Sequence, residues 1–220
     1  GDGVNASRYT ITVAAAIQSG SIAEYSNFGA CILVAAPAAS VTTDLSGANG
    51  YNATDYANDF GGTSAATPVV SGVISLMLDA NEGLGWRDVQ NILANSASHT
   101  GSALGGAASG FEVGAWATNR ADNWNGGGMH IHTNYGYGMV NAFNAVRMAE
   151  VWSLFTPAQT SANEQTASSA TVNLGGLAIP DNNATGVSFN ISMGTNLQIE
   201  HVQLVLNFTH TYVGDLKVTL

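Results

Sequence analysis

The sequence predicts an α/β domain with a parallel sheet and helices on both faces, followed by an all-β segment. Residues 9–17 and 31–36 are small and β-branched and carry no charge, which is typical of strands covered on both faces. From about residue 64 the apolar residues recur at helical spacing, and beyond residue 186 they alternate with polar residues. This change of period divides the chain into an α/β part and an all-β part.

The composition is that of a folded, acidic chain. Of 220 residues, 45% are hydrophobic and 9% are charged, so the chain has enough apolar material for a core and too few charges for disorder. Five Lys and Arg stand against 15 Asp and Glu, which leaves no basic surface for a nucleic acid or an anionic membrane. No apolar run reaches the ~20 residues of a membrane span. We therefore expect no nucleic-acid partner and no membrane segment in this chain.

Helical spacing predicts three helices, which cover about residues 64–79, 86–95 and 141–152. The first is apolar over most of its surface, so we expect it to be buried nearly all round, with Pro68 in its first turn. Asn141 is expected to cap the third helix. Residues 38–62 have the composition of a loop with short hairpin pieces, and residues 99–134 form a long, glycine-rich excursion.

The polar, low-complexity residues 156–169 predict a linker between two domains. The first domain is predicted over residues 1–155 and the second, an all-β module, over residues 170–220. Strand-like alternation is still in progress at residues 216–220, and the chain has no initiator Met. We therefore expect this sequence to be a piece of a longer protein.

Ser64 stands at the start of the first predicted helix, directly after the pair Gly61–Gly62 and Thr63. A serine before an apolar helix is commonly its N-cap. The same position also places a hydroxyl beside the unpaired N–H groups and the positive dipole end of a helix, where an oxyanion is stabilised during acyl transfer. Spacing alone favours the cap, because an activated serine needs a base and an orienting acid.

Four segments, in matching order along the chain, resemble the subtilisin-like serine proteases. Residues 62–68 (GTSAATP) resemble the nucleophile motif of that family, and residues 25–29 (YSNFG) resemble its Ser-Asn-x-Gly turn. Residues 86–90 (WRDVQ) are similar to the start of the helix after the nucleophile helix, and residues 135–142 (YGYGMVNA) to the closing segment of the domain. The resemblance implies a subtilisin-like α/β fold and a serine endopeptidase that forms an acyl-enzyme on Ser64.

Two further segments are similar to the kexin/furin-like proprotein convertases within that family. Residues 200–216 resemble the opening of the P (Homo B) domain, which implies that a truncated, jelly-roll-like β-sandwich supports the catalytic domain. Residues 1–13 resemble a convertase segment whose acidic residue lines the pocket for a basic side chain. The resemblance makes Asp2 the candidate for binding an Arg or Lys before the scissile bond. A turn-forming Asp2–Gly3 pair is the alternative that stays open.

The resemblance implies structural calcium and no cofactor for the chemistry itself. Asn27 stands where the convertases commonly carry a calcium-binding Glu, so the metal ligands remain unknown. His130 and His132 lie two residues apart in a glycine-rich stretch. Two ligands do not make a metal site, and a solvated loop pair is the favoured interpretation.

The catalytic partners of Ser64 are expected outside this chain. The family order is Asp, then His, then Ser, yet all five histidines follow Ser64. We therefore expect the parent protein to be a serine endopeptidase and this chain by itself to be inactive. The alternative is an inactive subtilisin-like pseudoprotease that serves as a binding or surface module. For the active parent we expect a polypeptide substrate, a monomer and secretion, in line with the acidic, lysine-poor composition.

Overall fold

The computed structural model describes residues 3–118 and 129–219. Its internal contacts divide the chain into two units, Gly1–Asn163 and Glu164–Leu220. Within the described residues, the first unit contains three two-stranded sheets and three α-helices.

A parallel pair of strands forms the centre of the first unit. β1 (Thr12–Ala16) and β2 (Ile32–Pro37) pair in parallel, and Met139 pairs in parallel with Ala35 of β2. Met139 also pairs with Ser98 in the antiparallel direction, which extends the sheet by two short segments. Both strands confirm the prediction from the small and β-branched runs, and each begins one to three residues later than the run itself.

Two short antiparallel pairs follow the parallel strands in the sequence. β3 (Ala39–Thr43) and β4 (Tyr56–Gly61) form the first, in the region predicted to hold hairpin pieces. β5 (Ala117–Thr118) and β6 (His130–Ile131) form the second, within the glycine-rich excursion. The first pair matters for the site described below, because β4 runs directly into the next helix.

α1 (Thr63–Ala80) is buried on one side only, so the prediction of burial nearly all round is wrong for the described residues. Pro68 is its sixth residue and lies in the second turn, not the first. The prediction placed the helix start one residue late, at Ser64, and counted small residues as buried because they are not charged. The buried positions of α1 recur at helical spacing and are Ala65, Ala66, Val70, Val73 and Met77.

Among the described residues, α1 is the one helix whose length and apolar composition would allow it to cross a membrane. The core helix of a soluble protein has the same two properties. In this chain α1 packs against β1, β2 and α3, which is the environment of a core helix.

α2 (Trp86–Ser96) and α3 (Ala142–Trp152) follow the predicted spacing. The Asn141 side chain accepts a hydrogen bond from the Asn144 amide at 2.9 Å, which confirms the predicted cap of α3. All three helices contribute to one apolar core with alternate residues of the sheet. The sheet residues in that core are Ala15, Val34 and Ala36.

The opposite face of the sheet carries a second apolar core that contains no helix residue. Ala14 and Ala35 pack there against Ile22, Trp116 and Tyr135. The described helices therefore cover one face, which corrects the prediction of helices on both faces. Aromatic side chains from irregular segments cover the other face, and sequence periodicity cannot detect such a layer.

The start of the predicted linker is held to α2 by hydrogen bonds. The Gln159 amide donates to the Asp88 carboxylate at 2.8 Å, and Arg87 Nη1 donates to the Thr160 carbonyl at 3.0 Å. Trp86 Nε1 donates to Ser161 Oγ at 3.2 Å. Residues 159–161 therefore form a strap on the N-terminal turn of α2, and the contact boundary between the units falls after Asn163.

The second unit, Glu164–Leu220, contains a 3₁₀ turn at Val213–Asp215 and no strand or buried residue among residues 164–219. Its alternating apolar side chains are largely exposed, for example Val202 and Leu206. A strand needs the backbone groups of a neighbouring strand, and a small isolated set of strands is marginal in water. The β-sandwich therefore stays a prediction.

Candidate functional site

Ser64 lies at the carboxyl end of the parallel sheet. It is the second residue of α1, and its side chain is exposed. β4 leads into α1, and Gly61 at the end of β4 pairs with Ala39, which follows β2 by two residues. The chain thus returns to the carboxyl end of β2 before α1 begins. Ligand sites of parallel α/β sheets lie outside this edge of the sheet.

The structure excludes the interpretation of Ser64 as an N-cap. Gly62 is the N-cap of α1, and no side-chain hydrogen bond caps this helix. The amides of Ala65 and Ala66 both donate to the Gly62 carbonyl, at 2.9 and 3.3 Å. The amides of Thr63 and Ser64 lie ahead of these and have no acceptor inside the helix. The Ser64 hydroxyl therefore stands beside donors that α1 itself leaves open.

The Gly61–Gly62 pair sets the angle at which β4 enters α1. Gly62 has φ 87° and ψ 177°, a conformation that L side chains rarely adopt. A Cβ on Gly62 would meet only the Ser64 amide nitrogen, at 3.9 Å, so the requirement for glycine is conformational and not steric. The glycine pair thus fixes where Ser64 emerges from the sheet.

Three hydroxyls further along α1 are engaged by the helix backbone, and that of Ser64 is not. Thr67 Oγ1 donates to the Thr63 carbonyl at 3.0 Å, and Ser71 and Ser75 make the same contact one and two turns on. The Ser64 side chain has no hydrogen bond to another residue in the part of the chain that the structure describes. Its oxygen is available to a partner from elsewhere.

The other predicted site residue, Asp2, lies outside the described residues, so its position stays a prediction. No histidine among residues 3–118 and 129–219 is hydrogen-bonded to Ser64. His99, His130 and His132 instead surround Trp116, with ring centroids 4.9, 5.2 and 5.1 Å from its ring. The described chain therefore supplies a hydroxyl without a base.

This aromatic group was not predicted from the sequence. We call His99, Trp116, His130, His132 and Tyr135 the histidine–tryptophan cluster. Tyr135 stacks on Trp116 with an interplanar angle of 5° and a centroid separation of 5.6 Å. The YGYG motif and the two-residue histidine spacing were the available signals, but neither indicates that the rings share one tryptophan.

Glu112 and Tyr135 connect the cluster to distant segments. Tyr135 Oη accepts from the Ile22 amide at 2.7 Å and donates to Glu112 Oε1 at 2.9 Å. Burial would raise the pKa of Glu112, but hydrogen bonds from Ser102, Ser109 and Tyr135 outweigh it and lower the pKa from 4.5 to about 2. Burial and the Glu112 carboxylate raise the pKa of Tyr135, so its hydroxyl remains a donor.

The two histidines of the excursion are not a solvated loop pair, which corrects the sequence-based interpretation. His132 is 2% exposed, its Nε2 lies 3.2 Å from the Gly114 carbonyl and its Nδ1 accepts from the Asn134 amide at 3.0 Å. Burial lowers the pKa of both His130 and His132 from 6.5. Within the described ranges, no group of three or more His, Cys, Asp or Glu is placed to hold a metal ion.

Comparison with known proteins identifies a family. The profile of the Subtilase family matches residues 4–138, which is more than half of the chain. The matched segment includes β1 to β6, α1, α2 and Ser64.

Individual relatives are proteases of greater length. The "Calcium-dependent protease" of Nostoc sp. is 29% identical to this chain, covering 100% of it and 31% of the relative. Human "Proprotein convertase subtilisin/kexin type 4" is 30% identical, covering 100% of this chain and 26% of the relative. The crystal structure of the serine protease of Aeromonas sobria superposes with a TM-score of 0.60 at 25% identity, covering 80% of this chain and 35% of that one. The chain therefore spans about a third or less of each relative.

Proposed function

Because the chain belongs to the Subtilase family, we propose that it is part of a serine endopeptidase whose nucleophile is Ser64. The observation that carries this proposal is the position of Ser64. Its exposed hydroxyl stands in the first turn of α1, at the carboxyl end of β2, and no helix cap or other described residue engages it.

In the proposed reaction, Ser64 Oγ attacks the carbonyl carbon of the scissile peptide bond. A base takes the hydroxyl proton and passes it to the leaving amine as the C–N bond breaks, which leaves an acyl-enzyme ester on Ser64. Water then attacks the ester, and the hydroxyl of Ser64 regains a proton. The described histidines do not contact Ser64, so the base and its orienting acid are proposed to come from residues outside this chain.

α1 contributes electrostatic stabilisation to this step. The open Ser64 amide lies where it can donate to the oxyanion of the tetrahedral intermediate, and the positive end of the helix dipole favours the same charge. The first turn of α1 carries no acidic side chain, so nothing in the helix itself cancels that field. An upstream Asn is proposed as the second oxyanion donor.

The finer proposals concern specificity and the second unit. Cleavage after basic residues, with Asp2 receiving the Arg or Lys, is supported by the convertase-like segment at residues 1–13 and by the convertase relative. Residues 170–220 are proposed to begin a P-type β-sandwich that supports the catalytic domain, from their alternation and their resemblance. One relative is named a calcium-dependent protease. On this relative and the family match we propose structural calcium for the parent protein, with ligands that are not assigned.

The proposal also places the parent protein outside the cell, acting as a monomer on polypeptides. The acidic charge of -10 and the scarcity of lysine support export. An immunoblot of the culture medium and the cell pellet, with an antibody to this chain, would separate export from retention.

A covalent probe of serine hydrolases tests the nucleophile. In the full-length protein a fluorophosphonate is expected to label Ser64, and Ser64→Ala is expected to abolish labelling and to lower kcat by roughly 10⁴-fold or more. Ser71→Ala is the matched control, since Ser71 is an exposed serine on the same helix. Peptides with Arg or Ala before the scissile bond test specificity in the same assay, and equal kcat/KM values would contradict the basic preference.

The second candidate function is a catalytically inactive subtilisin-like pseudoprotease. A nucleophilic serine whose parent protein supplied no base and no orienting acid would not be activated. An unlabelled Ser64 in the full-length, correctly folded protein would reject the endopeptidase and leave a pseudoprotease that acts as a binding module.

A further inference from the structure

The face of the sheet opposite the helices is closed by the histidine–tryptophan cluster. Trp116 and Tyr135 are 6% and 0% exposed, and they cover Ala14 and Ala35 of the two parallel strands. Residues 98–116 and 130–135 carry the cluster, and they are irregular apart from the two-residue strand β6 and isolated bridges. Side-chain packing, and not a helix, therefore keeps this face closed.

Hydrogen bonds from the cluster and from residues next to it in the sequence hold the connection between β1 and β2. The Ile22 amide donates to Tyr135 Oη at 2.7 Å, and the Gly29 amide donates to the Thr133 carbonyl at 2.8 Å. Thr100 Oγ1 donates to the Gly20 carbonyl at 2.7 Å. If the cluster opened, residues 20–29 would lose these contacts at both ends.

Protonation of its histidine rings is expected to destabilise the cluster. His130 Nε2 is buried and has no hydrogen-bond partner among the described residues. A backbone hydrogen bond with Tyr137 offsets only part of the lowering that burial imposes on the pKa of His130. The His99 ring lies 6.1 Å from the His130 ring, so charging both would place two cations side by side. A charged ring here is also taken out of water, which disfavours it further.

We propose that the histidine–tryptophan cluster is an acid-sensitive latch that fastens residues 20–29 and 98–116 to the helix-free face of the sheet. The other titratable groups that face it among the described residues are Glu112, Tyr135 and Tyr137. Glu112 is the one anion, and its hydrogen bonds to Tyr135 and to the Ser102 and Ser109 amides already occupy its oxygens. It stays ionised well below the range in which histidines titrate.

The sign of the effect follows from the folded-state pKa values. Both His130 and His132 have a pKa below 6.5 in the closed state, so opening takes up protons when the pH falls below 6.5. The closed latch is therefore fully stable above about pH 6.5 and loses stability as the pH falls towards the lowered values. Burial is the largest cause of both shifts, and the opposing attraction of Glu112 for His132 is smaller.

Hydrogen exchange on the full chain tests the latch without using catalysis, so the result is independent of the proposed protease function. Between pH 7.5 and 5.0 we expect the protection factors of the Ile22 and Gly29 amides, corrected for intrinsic rates, to fall by about tenfold or more. The amide of Val73 in α1 should keep its protection, because the helical face carries no histidine.

A ring without a titratable nitrogen provides the matched variant. His130→Phe keeps an aromatic contact with Trp116, and it is expected to remove a large part of the fall in the protection factors of the Ile22 and Gly29 amides. His201→Phe, the same change at an exposed histidine of the second unit, should leave the fall unchanged. If His130→Phe does not fold, His130→Gln replaces it.

Three results would overturn the latch: protection factors that do not depend on pH, an undiminished fall in the His130 variant, or an equal fall at Val73. Histidine ring resonances followed by NMR give a second readout. Both His130 and His132 should titrate below 6.5, and ordinary values for both would also reject the proposal.

Discussion

Gly62 has the most constrained backbone at the candidate site. Its φ of 87° joins β4 to α1 and fixes the position from which Ser64 emerges. Gly72, ten residues after Gly62 and inside α1, has an ordinary helical conformation and open space where a Cβ would be. The two glycines therefore provide a matched pair in which the same substitution has opposite consequences.

Gly62→Ala is expected to destabilise the protein by roughly 1–2 kcal/mol, because alanine resists a positive φ. It should also slow the labelling of Ser64 in the full-length protein, since the strain is relieved by moving the start of α1. Gly72→Ala is expected to stabilise by about 0.5–1 kcal/mol. Denaturant unfolding and probe kinetics on both variants check this, and equal effects at the two sites would refute the conformational argument.

At the scale of elements, Asp88 joins the start of α2, the end of α3 and the strap. Its carboxylate is fully buried and accepts from the amides of Gly85 and Gln159 and from Trp152 Nε1, each at 2.8 Å. A Cβ on Gly85 would lie 2.0 Å from the Gln159 carbonyl oxygen, so the strap can approach only a glycine. Three donors from three segments thus stabilise one buried charge.

Asp88→Asn is expected to lower the free energy of unfolding by about 2–3 kcal/mol. The amide keeps the shape of the carboxylate, but its NH₂ group must face one of the three donors. Asp79→Asn, at an exposed position near the end of α1, should change stability by less than about 0.5 kcal/mol. Urea unfolding of both variants measures the difference, and a similar loss at the two positions would rule out the buried hydrogen bonds as its cause.

At the scale of the whole molecule, the two units differ in how their apolar residues are used. The first unit places them in two cores on opposite faces of one sheet. The second carries alternating apolar residues that remain exposed, and it has no ladder hydrogen bonds among residues 164–219. Stability in this chain is therefore concentrated in Gly1–Asn163.

Amide exchange should separate the units directly. Amides of Val34 and Ala35 are expected to be protected by the sheet, whereas amides in residues 187–208 should exchange within about tenfold of their intrinsic rates. Mass spectrometry of peptic fragments at one pH measures both. Protection above about 100-fold in residues 187–208 would contradict this expectation and would mean that strands form in the second unit.

Elements whose signal is local can be predicted from the amino-acid sequence alone. The spacing of apolar residues predicts the strands at residues 12–16 and 32–37 and the helices α2 and α3. The cap of α3 follows from the ability of the Asn141 side chain to accept a hydrogen bond from the backbone three residues later. The subtilisin-like motifs also identified the family, which the profile match then confirmed. Local patterns suffice for these because the determining contacts are near in sequence.

Which faces of those elements are covered can be seen in the folded structure and not in the local pattern. It showed α1 exposed on one side, the helices on one face of the sheet, and Trp116 with Tyr135 on the other. It also showed that Gly62, and not Ser64, caps α1, and that Asp88 holds a strap 71 residues away. These features depend on residues that are far apart in the sequence and close in space. The periodicity of one segment carries no information about which distant residues will bury it or bond to it.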